Sequence, residues 1–404
     1  MASNWRQFLD RPQNVWLRRL LFHVHLWVGV GVALYILLIG VTGSALVFRD
    51  EIEHAMETPP ISSAEAAGPL ADLDTVAARI RKAYPDRELA SLLTPFPPNH
   101  PTIRGYLRKD QTYTAVNVHP VSGALLGAVP EGGFLHWLQD LHFNLLTGRT
   151  GRIVNGAGAL CLLLMSLTGI VIWWPGLRNW CRSLTVDFSR QWKRINWDLH
   201  SAAGFWTLAL LLTWAVSGAY FAWPTEFRTL VNWFSPVSAA QATPPDTSQK
   251  GKLPPPALRG LLAEATRRTH GGSLLSVSFP ADDRGHIRVF MARGPERTYD
   301  LADYHYFDPF TGKHLAVWRR GMDQSAGDVV MDWIGPLHFG TFGGEGAAGI
   351  AVKVLWMLLG LAPPTLAVSG LLMYWNRYLS KVMAGENRQS SPRMRKTPSW
   401  SAKS

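Results

Sequence analysis

The chain has 404 residues, 47% of them apolar, and a formal net charge of +11. That length would suit two or three soluble domains. However, it contains four nearly uncharged apolar runs of about 20 or more residues, each long enough to cross roughly 30 Å of hydrocarbon. We therefore predict a mainly α-helical membrane protein rather than a soluble protein with four buried helices. The predicted spans are Leu26–Phe48, Ile153–Trp174, Ser201–Trp223 and Ala347–Trp375.

Basic residues are distributed unevenly along the chain. Segments 1–22, 176–199 and 376–404 together hold 16 Lys and Arg against 4 Asp and Glu. Because positive residues accumulate on the cytoplasmic side, these segments are predicted to be cytoplasmic. The long loops, roughly 50–150 and 224–345, then face the periplasm of a bacterial inner membrane. Nucleic acid is not an expected partner, because no basic run lies on a folded soluble surface.

Short motifs recur along the chain at a slowly rising offset, which indicates two copies of one unit separated by small insertions. His25 with Gly29 recurs as His200 with Gly204, 175 residues later. The other matching pairs, at offsets of 189, 196 and 201, are the Gly-ending turns 120–123 and 309–312, the Leu-His-Phe triplets 141–143 and 337–339, and Thr168-Gly169 with Ser369-Gly370.

Each copy is predicted to be a span, a periplasmic α+β module and a second span. In both modules a helical segment, Asp74–Ala83 or Ala257–Arg268, precedes strand-like alternation closed by a Pro-x-Ser/Thr-Gly turn. The predicted segments are 1–49 (cytoplasmic N-terminus and first span), 50–135 (first module), 136–175 (entry segment and second span), 176–199 (cytoplasmic loop), 200–224 (third span), 225–330 (linker and second module), 331–376 (entry segment and fourth span) and 377–404 (basic cytoplasmic tail).

Four of the thirteen histidines occupy equivalent places in the two copies. His25 and His200 open the first and third spans, whereas His142 and His338 precede the second and fourth. Ionisable side chains at membrane depth are costly and therefore indicate function. Two histidines from different helices form the usual bis-imidazole site of a b-type haem. The repeat therefore pairs His25 with His200 and His142 with His338.

The glycines one helical turn after the inner pair, Gly29 and Gly204, would let a flat macrocycle approach the backbone. Interhelical hydrogen bonding by the histidines is the plain alternative. Zinc is another, although no third or fourth ligand recurs with them. His136 could replace His142 as the outer ligand if the entry to the second span is bent, but the equivalent position in the second copy is Asp332.

Other polar residues near the spans have less specific interpretations. Arg149 and Arg152 are either interfacial anchors or partners of haem propionates or of an anionic substrate. His23 is predicted to be interfacial. The histidines predicted to lie on the surface or in turns of the modules are His54, His100, His119, His270, His286, His305 and His314.

These motifs, with the Trp173-Trp174-Pro175 exit, resemble the PepSY-associated transmembrane family over roughly residues 15–380. The outer modules resemble its PepSY domains. Known members include inner-membrane reductases that release iron from ferric siderophores in the periplasm, such as a ferrioxamine reductase with haem in the membrane. The resemblance implies an oxidoreductase of this kind with two haem b groups. Its axial ligands would be His25, His142, His200 and His338.

The resemblance also implies the partners. Electrons would pass from the inner histidine pair to the outer pair and then to a ferric siderophore, whose oxygen donors hold iron(II) less tightly than iron(III). No Gly-x-Gly-x-x-Gly follows a strand to bind NAD(P)H, so the donor is expected to be separate: reduced flavin, a quinol or a reductase protein. Membrane lipid is the remaining partner. The alternatives are a sensing or binding module without redox chemistry, and a ligand-gated transporter, which unbroken spans would argue against.

The charge distribution makes a testable prediction of orientation. Alkaline phosphatase fused within residues 60–130 should be active, because it folds only in the oxidising periplasm, whereas a fusion after Ser401 should be inactive. The reverse pattern would overturn the predicted topology.

Overall fold

The computed structural model describes residues 9–10, 12–56, 61–62, 64–95, 101–110, 112–129, 132–237, 242–294, 299–344 and 346–380. Most of the predicted basic tail therefore lies outside the described residues, as do His100 and residues 1–8. The chain forms two compact units. The helical unit contains the residues up to Ala45, Val154–Ala219 and the residues from 346 onwards. The mixed unit contains Leu46–Ile153 and Tyr220–Gly344.

The helices and strands alternate in groups along the chain. The helices are α1 (Trp16–Leu46), α2 (Arg49–Met56), α3 (Leu73–Ala83), α4 (Phe134–Asn144), α5 (Gly148–Trp173), α6 (Trp192–Trp206), α7 (Leu208–Ala222), α8 (Pro224–Phe234), α9 (Leu258–Arg268), α10 (Ala326–Phe339), α11 (Gly346–Leu359) and α12 (Ala362–Tyr374), which a π-helical turn, Trp375–Leu379, continues. The strands are β1 (Glu88–Leu93), β2 (Ile103–Lys109), β3 (Thr112–Val118), β4 (Leu125–Ala128), β5 (Ser273–Ser278), β6 (Ile287–Ala292), β7 (Ala302–Phe307) and β8 (His314–Arg319).

Within the described ranges, three helices are long and apolar enough to cross a membrane: α1, α5 and the stretch Gly346–Leu379. Together, α6 and α7 form a fourth candidate that is bent by 64°. The number of predicted spans is thus recovered when the bent pair counts as one. The observed starts of three spans differ from the predicted ones, because each helix begins several residues before its apolar run. Thus α1 begins at Trp16, α5 at Gly148 and α6 at Trp192, the last inside the predicted loop 176–199.

The predicted third span is not one regular helix, because it breaks at Thr207. The Thr207 hydroxyl donates a 2.7 Å hydrogen bond to the carbonyl of Ala203, four residues earlier. Bonds of this kind often bend a helix, and Gly204 weakens the same turn because glycine has low helix propensity. His200 therefore lies on α6, before the bend, and eight residues after the start of that helix.

The predicted fourth span is also interrupted, between α11 and α12. Pro363 and Pro364 occupy the first turn of α12, where a missing N–H group costs nothing, and the residue before a proline is disfavoured in helical geometry. Gly360 precedes the break, and a side chain there would collide with the hydroxyl of Ser44 on α1. The interruption therefore follows from local sequence, although it lies inside an apolar run.

The mixed unit contains one antiparallel sheet of eight strands in the order β4-β3-β2-β1-β5-β6-β7-β8. The strands of both predicted α+β modules lie in this one continuous sheet. The junction pairs Ser91–Leu93 of β1 with Ser276–Ser278 of β5. Beside it, the Thr94 hydroxyl donates to the carbonyl of Leu274 at 2.7 Å. Joining the two four-strand halves removes an exposed edge strand from each.

Both predicted module helices are confirmed as α3 and α9, which pack on each other and on the sheet. Their apolar faces bury Val76, Ile80 and Ala265 against strand residues such as Val289. The two predicted turns are confirmed as well. Gly123 and Gly312 have φ values of 66° and 72°, the left-handed conformation that glycine adopts without strain.

His305 was predicted to lie on the surface, and that prediction is wrong. Its side chain on β7 is fully buried, with Nε2 2.8 Å from the Thr269 hydroxyl and Nδ1 3.2 Å from Nε2 of His314. Strand alternation places it in the interior, and the two hydrogen bonds satisfy both ring nitrogens. Burial, followed by the neighbouring His314, lowers the pKa of His305 from 6.5 to about 4.

This lowered pKa predicts acid sensitivity of the sheet. The unfolded chain binds a proton at His305 below about pH 6.5, whereas the folded chain does so only near pH 4. The stabilisation is therefore complete above pH 6.5 and is lost as the pH falls towards 4. We expect thermal melts of His305→Gln to depend less steeply on pH than those of the wild type in this window. The exposed His270 provides the control, and His270→Asn should keep the wild-type dependence.

Candidate functional site

His25 on α1 and His200 on α6 face one another within the helical unit. Their ring centres lie 6.5 Å apart and the ring planes are nearly perpendicular, at 86°. A direct N–H···N hydrogen bond would bring the centres to about 5 Å, so the rings are not bonded to each other. Two imidazoles that bind one metal ion from opposite sides have centres about 6 Å apart, since each metal–nitrogen bond is about 2 Å long.

Each of these imidazoles is held by a hydroxyl group of the neighbouring span. Nδ1 of His25 lies 3.0 Å from the Thr168 hydroxyl of α5, and Nδ1 of His200 lies 2.8 Å from the Ser369 hydroxyl of α12. Both histidines thus make interhelical hydrogen bonds, as one alternative interpretation of the sequence proposed. Those bonds use one nitrogen of each ring.

The hydroxyl groups also determine which ring nitrogen carries the proton. Thr168 donates its own proton to the carbonyl of Leu164 at 2.7 Å, and Ser369 donates to that of Leu366 at 3.1 Å. Each hydroxyl oxygen therefore accepts from the imidazole, so Nδ1 is protonated and Nε2 keeps its lone pair. Among the described residues, neither Nε2 atom has a hydrogen-bond partner. Both are available to a metal.

A glycine packs closely against each imidazole ring. A Cβ atom on Gly169 would lie 3.3 Å from Cε1 of His25, and one on Gly370 would lie 3.4 Å from Cε1 of His200. The Thr/Ser-Gly pairs at the ends of the second and fourth spans thus position the histidines of the first and third. The sequence repeat contained these pairs, but their role was missed because it depends on contact between spans.

A cavity of about 700 Å³ opens beside the two rings, within the usual range for cofactor sites. Gly29 and Gly204 line it, as predicted for positions that a flat ligand approaches. A Cβ atom placed on Gly29 would lie 2.9 Å from the Met165 side chain, and one placed on Gly204 would lie 3.7 Å from the Leu366 side chain. Both are flexible and line the same cavity.

His142 on α4 and His338 on α10 come together in the mixed unit. Both are half-buried, and His338 packs edge-on against Phe221 with ring centres 5.1 Å apart. Burial, followed by the nearby His142 imidazole, lowers the pKa of His338 to about 3, so this ring is neutral and able to bind a metal.

His136 is exposed on α4, six residues before His142, so the geometry favours His142 as the inward-facing side chain. The equivalent position in the second half, Asp332, hydrogen-bonds Gln324 and pairs with Arg320. Asp332 therefore links α10 to the segment that precedes it.

The two arginines at the entry to α5 are exposed. Nε of Arg152 donates to Oδ1 of Asn144 on the helix that carries His142, at 3.1 Å. Arg152 thus binds the last residue of α4, whereas Arg149 makes no ion pair within the described residues.

Comparison with known proteins places the chain in a family. The family model described as the PepSY-associated TM region matches residues 22–377. An uncharacterized protein of Pseudomonas aeruginosa is 27% identical over 271 residues, which cover 61% of this chain and 64% of the relative, somewhat less than two thirds of its length. Because the family match covers most of the chain, including most of each candidate span, the chain is a membrane protein that belongs to the PepSY-associated TM family.

Proposed function

We propose that this protein is an electron-transfer protein of the bacterial inner membrane that holds two haem b groups and reduces ferric siderophores in the periplasm. The facing pair His25 and His200 carries the proposal, because the ring centres lie 6.5 Å apart and each Nδ1 is held by a hydroxyl group, which leaves the Nε2 lone pairs for a metal. Such a site needs only two protein ligands. Bound there, haem would supply a one-electron redox centre between iron(II) and iron(III).

The protein's own contribution would be to orient and isolate the two sites. Thr168 and Ser369 hold the inner imidazoles in the tautomer that coordinates through Nε2, as outer hydrogen bonds commonly do for metal-bound histidines. The apolar part of the cavity would limit the access of water to a bound metal. The half-buried His142 and His338 would form the second site.

We also propose that the chain arose by duplication and that the mixed unit consists of two PepSY-like modules on the periplasmic side. The sheet supports this, because strands β1–β4 and β5–β8 form two meanders joined through β1 and β5. Each meander follows a helix, α3 or α9, and has the same Gly-containing turn between its third and fourth strands. The ferric siderophore would be bound by this unit, and a separate reduced flavin, quinol or reductase protein would supply electrons from the cytoplasm.

A non-enzymatic binding module is the second candidate. An open cleft of about 1070 Å³ in the mixed unit supports it, because the cleft is lined by charged and proline residues from both halves of the sheet. Asp74 at its edge caps the start of α9 by accepting from the N–H groups of Leu258 and Arg259, at 2.7 and 3.0 Å. Such a cleft could bind a periplasmic protein as well as a chelate.

The first test is the haem content of histidine variants. Purified protein should show a Soret band that shifts on reduction by dithionite, and His25→Ala or His200→Ala should each remove one haem equivalent while leaving the other. His142→Ala, His338→Ala and His136→Ala test the outer ligands in the same way, and only the first two should lose haem. His23, exposed two residues from His25, provides the control, and His23→Ala should keep full content.

Thr168 variants separate positioning from ligation. Thr168→Val removes the acceptor of the His25 Nδ1 proton, so we expect roughly 10–100-fold weaker haem retention. Thr168→Ser should restore it. A colourless wild-type protein, expressed with adequate haem, would reject the proposed site and favour the binding module.

The second test concerns the substrate. Dithionite-reduced protein should reoxidise under anaerobic conditions when an iron(III) siderophore is added, with one iron(II) appearing in ferrozine for each electron lost. The rate should fall at least tenfold in His142→Ala and His338→Ala, because the outer site would be missing. Arg149→Gln and Arg152→Gln should slow the reduction of anionic chelates more than that of neutral ones, because positive charge speeds the encounter with an anion. Reduced protein that persists with several siderophores would contradict the reductase.

A further inference from the structure

The cavity beside His25 and His200 has a strongly basic rim. Among the described residues, only one acidic side chain lines it: Asp198, which pairs with Arg194 at 2.9 Å. The other charged residues of the rim are all cationic and have no acidic partner within 4 Å in the described chain. They are Arg18, Arg182, Lys193 and Arg377.

Two of these cations recur with the histidines. Arg18 precedes His25 by seven residues, and Lys193 precedes His200 by seven residues, so the pair follows the same offset of 175 as the histidines. Seven residues are two helical turns, about 10 Å along one face. Each metal-ligand candidate therefore has a cation on the same side of its own helix, towards the predicted cytoplasmic end.

The buried part of Arg18 indicates that an acceptor is missing. Its Nη2 donates to the carbonyl of Ile172 at 2.5 Å, but its Nε is buried and has no hydrogen-bond partner. An unsatisfied buried donor of this kind costs roughly 1–3 kcal/mol. Arg377 reaches the same rim with its guanidinium 5.1 Å above the ring of Phe22, one turn before His25. These contacts hold the two guanidinium groups at the mouth.

The geometry points to a carboxylate-binding rim that recognises the two propionate groups of haem and fixes its orientation, with the carboxylates towards the cytoplasmic end. This rests on the proposed function, in which the cavity holds haem. The pocket is apolar inside, with two free imidazole nitrogens, and carries unpaired cations at its rim. These features match a flat molecule that is apolar at one edge and carries two negative charges at the other. A phosphate group of a soluble electron donor is the competing anion.

The test compares haem with haem dimethyl ester, which lacks the two negative charges. Full-length apoprotein in detergent is titrated with each compound, and the binding component that His25→Ala abolishes is analysed. The variants are Arg18→Gln and Lys193→Gln. The matched controls are Arg19→Gln and Arg190→Gln, at exposed residues that do not line the cavity, the second of which pairs with Asp187.

We expect the wild type to bind haem at least about tenfold more tightly than the ester, because charge-assisted bonds contribute about 1.5–3 kcal/mol. The rim variants should lose most of this preference with unchanged ester affinity and melting temperature, and the controls should keep it. Equal affinity of the wild type for haem and for the ester would overturn the inference and leave the haem site standing. The same conclusion would follow if the rim variants bound flavin mononucleotide more weakly but bound haem as the wild type does. Failure of the wild type to bind haem at all would overturn both.

Discussion

A neutral imidazole inside a membrane has two nitrogens to satisfy, one as a donor and one as an acceptor, and water is not available to do so. In this protein the donor nitrogens of His25 and His200 are held by the hydroxyls of Thr168 and Ser369, which pass their own protons back to their helices. The acceptor nitrogens remain beside a cavity. In the proposed function, a haem iron bound between the rings would use both of these lone pairs.

The breaks in the helices bear on the alternative that the protein is a transporter. Unbroken spans were the reason to set a transporter aside, and the bend at Thr207 removes that reason. Transporter sites at broken helices present free backbone groups to their substrate. Here the carbonyl of Ala203 accepts from both the N–H and the hydroxyl of Thr207, and the carbonyl of Thr207 accepts from Leu211. These backbone groups at the bend are therefore satisfied within the helix and are not presented to a substrate.

Helical period and chain composition were enough to predict the spans, the module helices, the turns and the facing histidines, because each depends on residues close in sequence. The pairing of β1 with β5, the burial of His305 and the role of Thr168 could not be predicted in this way. They depend on contacts between residues that are far apart in the chain, from 36 positions for Thr269 and His305 to 187 for Ser91 and Ser278. His305 shows the limit well, since a histidine between two tyrosines on an alternating strand could face either side, and only the packing of Thr269 against it decides.

Helical spacing explains how one short segment can set both the depth and the orientation of a bound molecule. A cation, a histidine and a glycine occur at 18, 25 and 29 on α1 and again at 193, 200 and 204 on α6. Eleven residues are close to three turns, so all three positions lie on one face, with the cation about 10 Å from the histidine and the glycine about 6 Å beyond it. A flat ligand between two helices with this spacing would meet the same order of groups on both sides. In the proposed arrangement, its charged edge and its metal would be satisfied together in only one orientation.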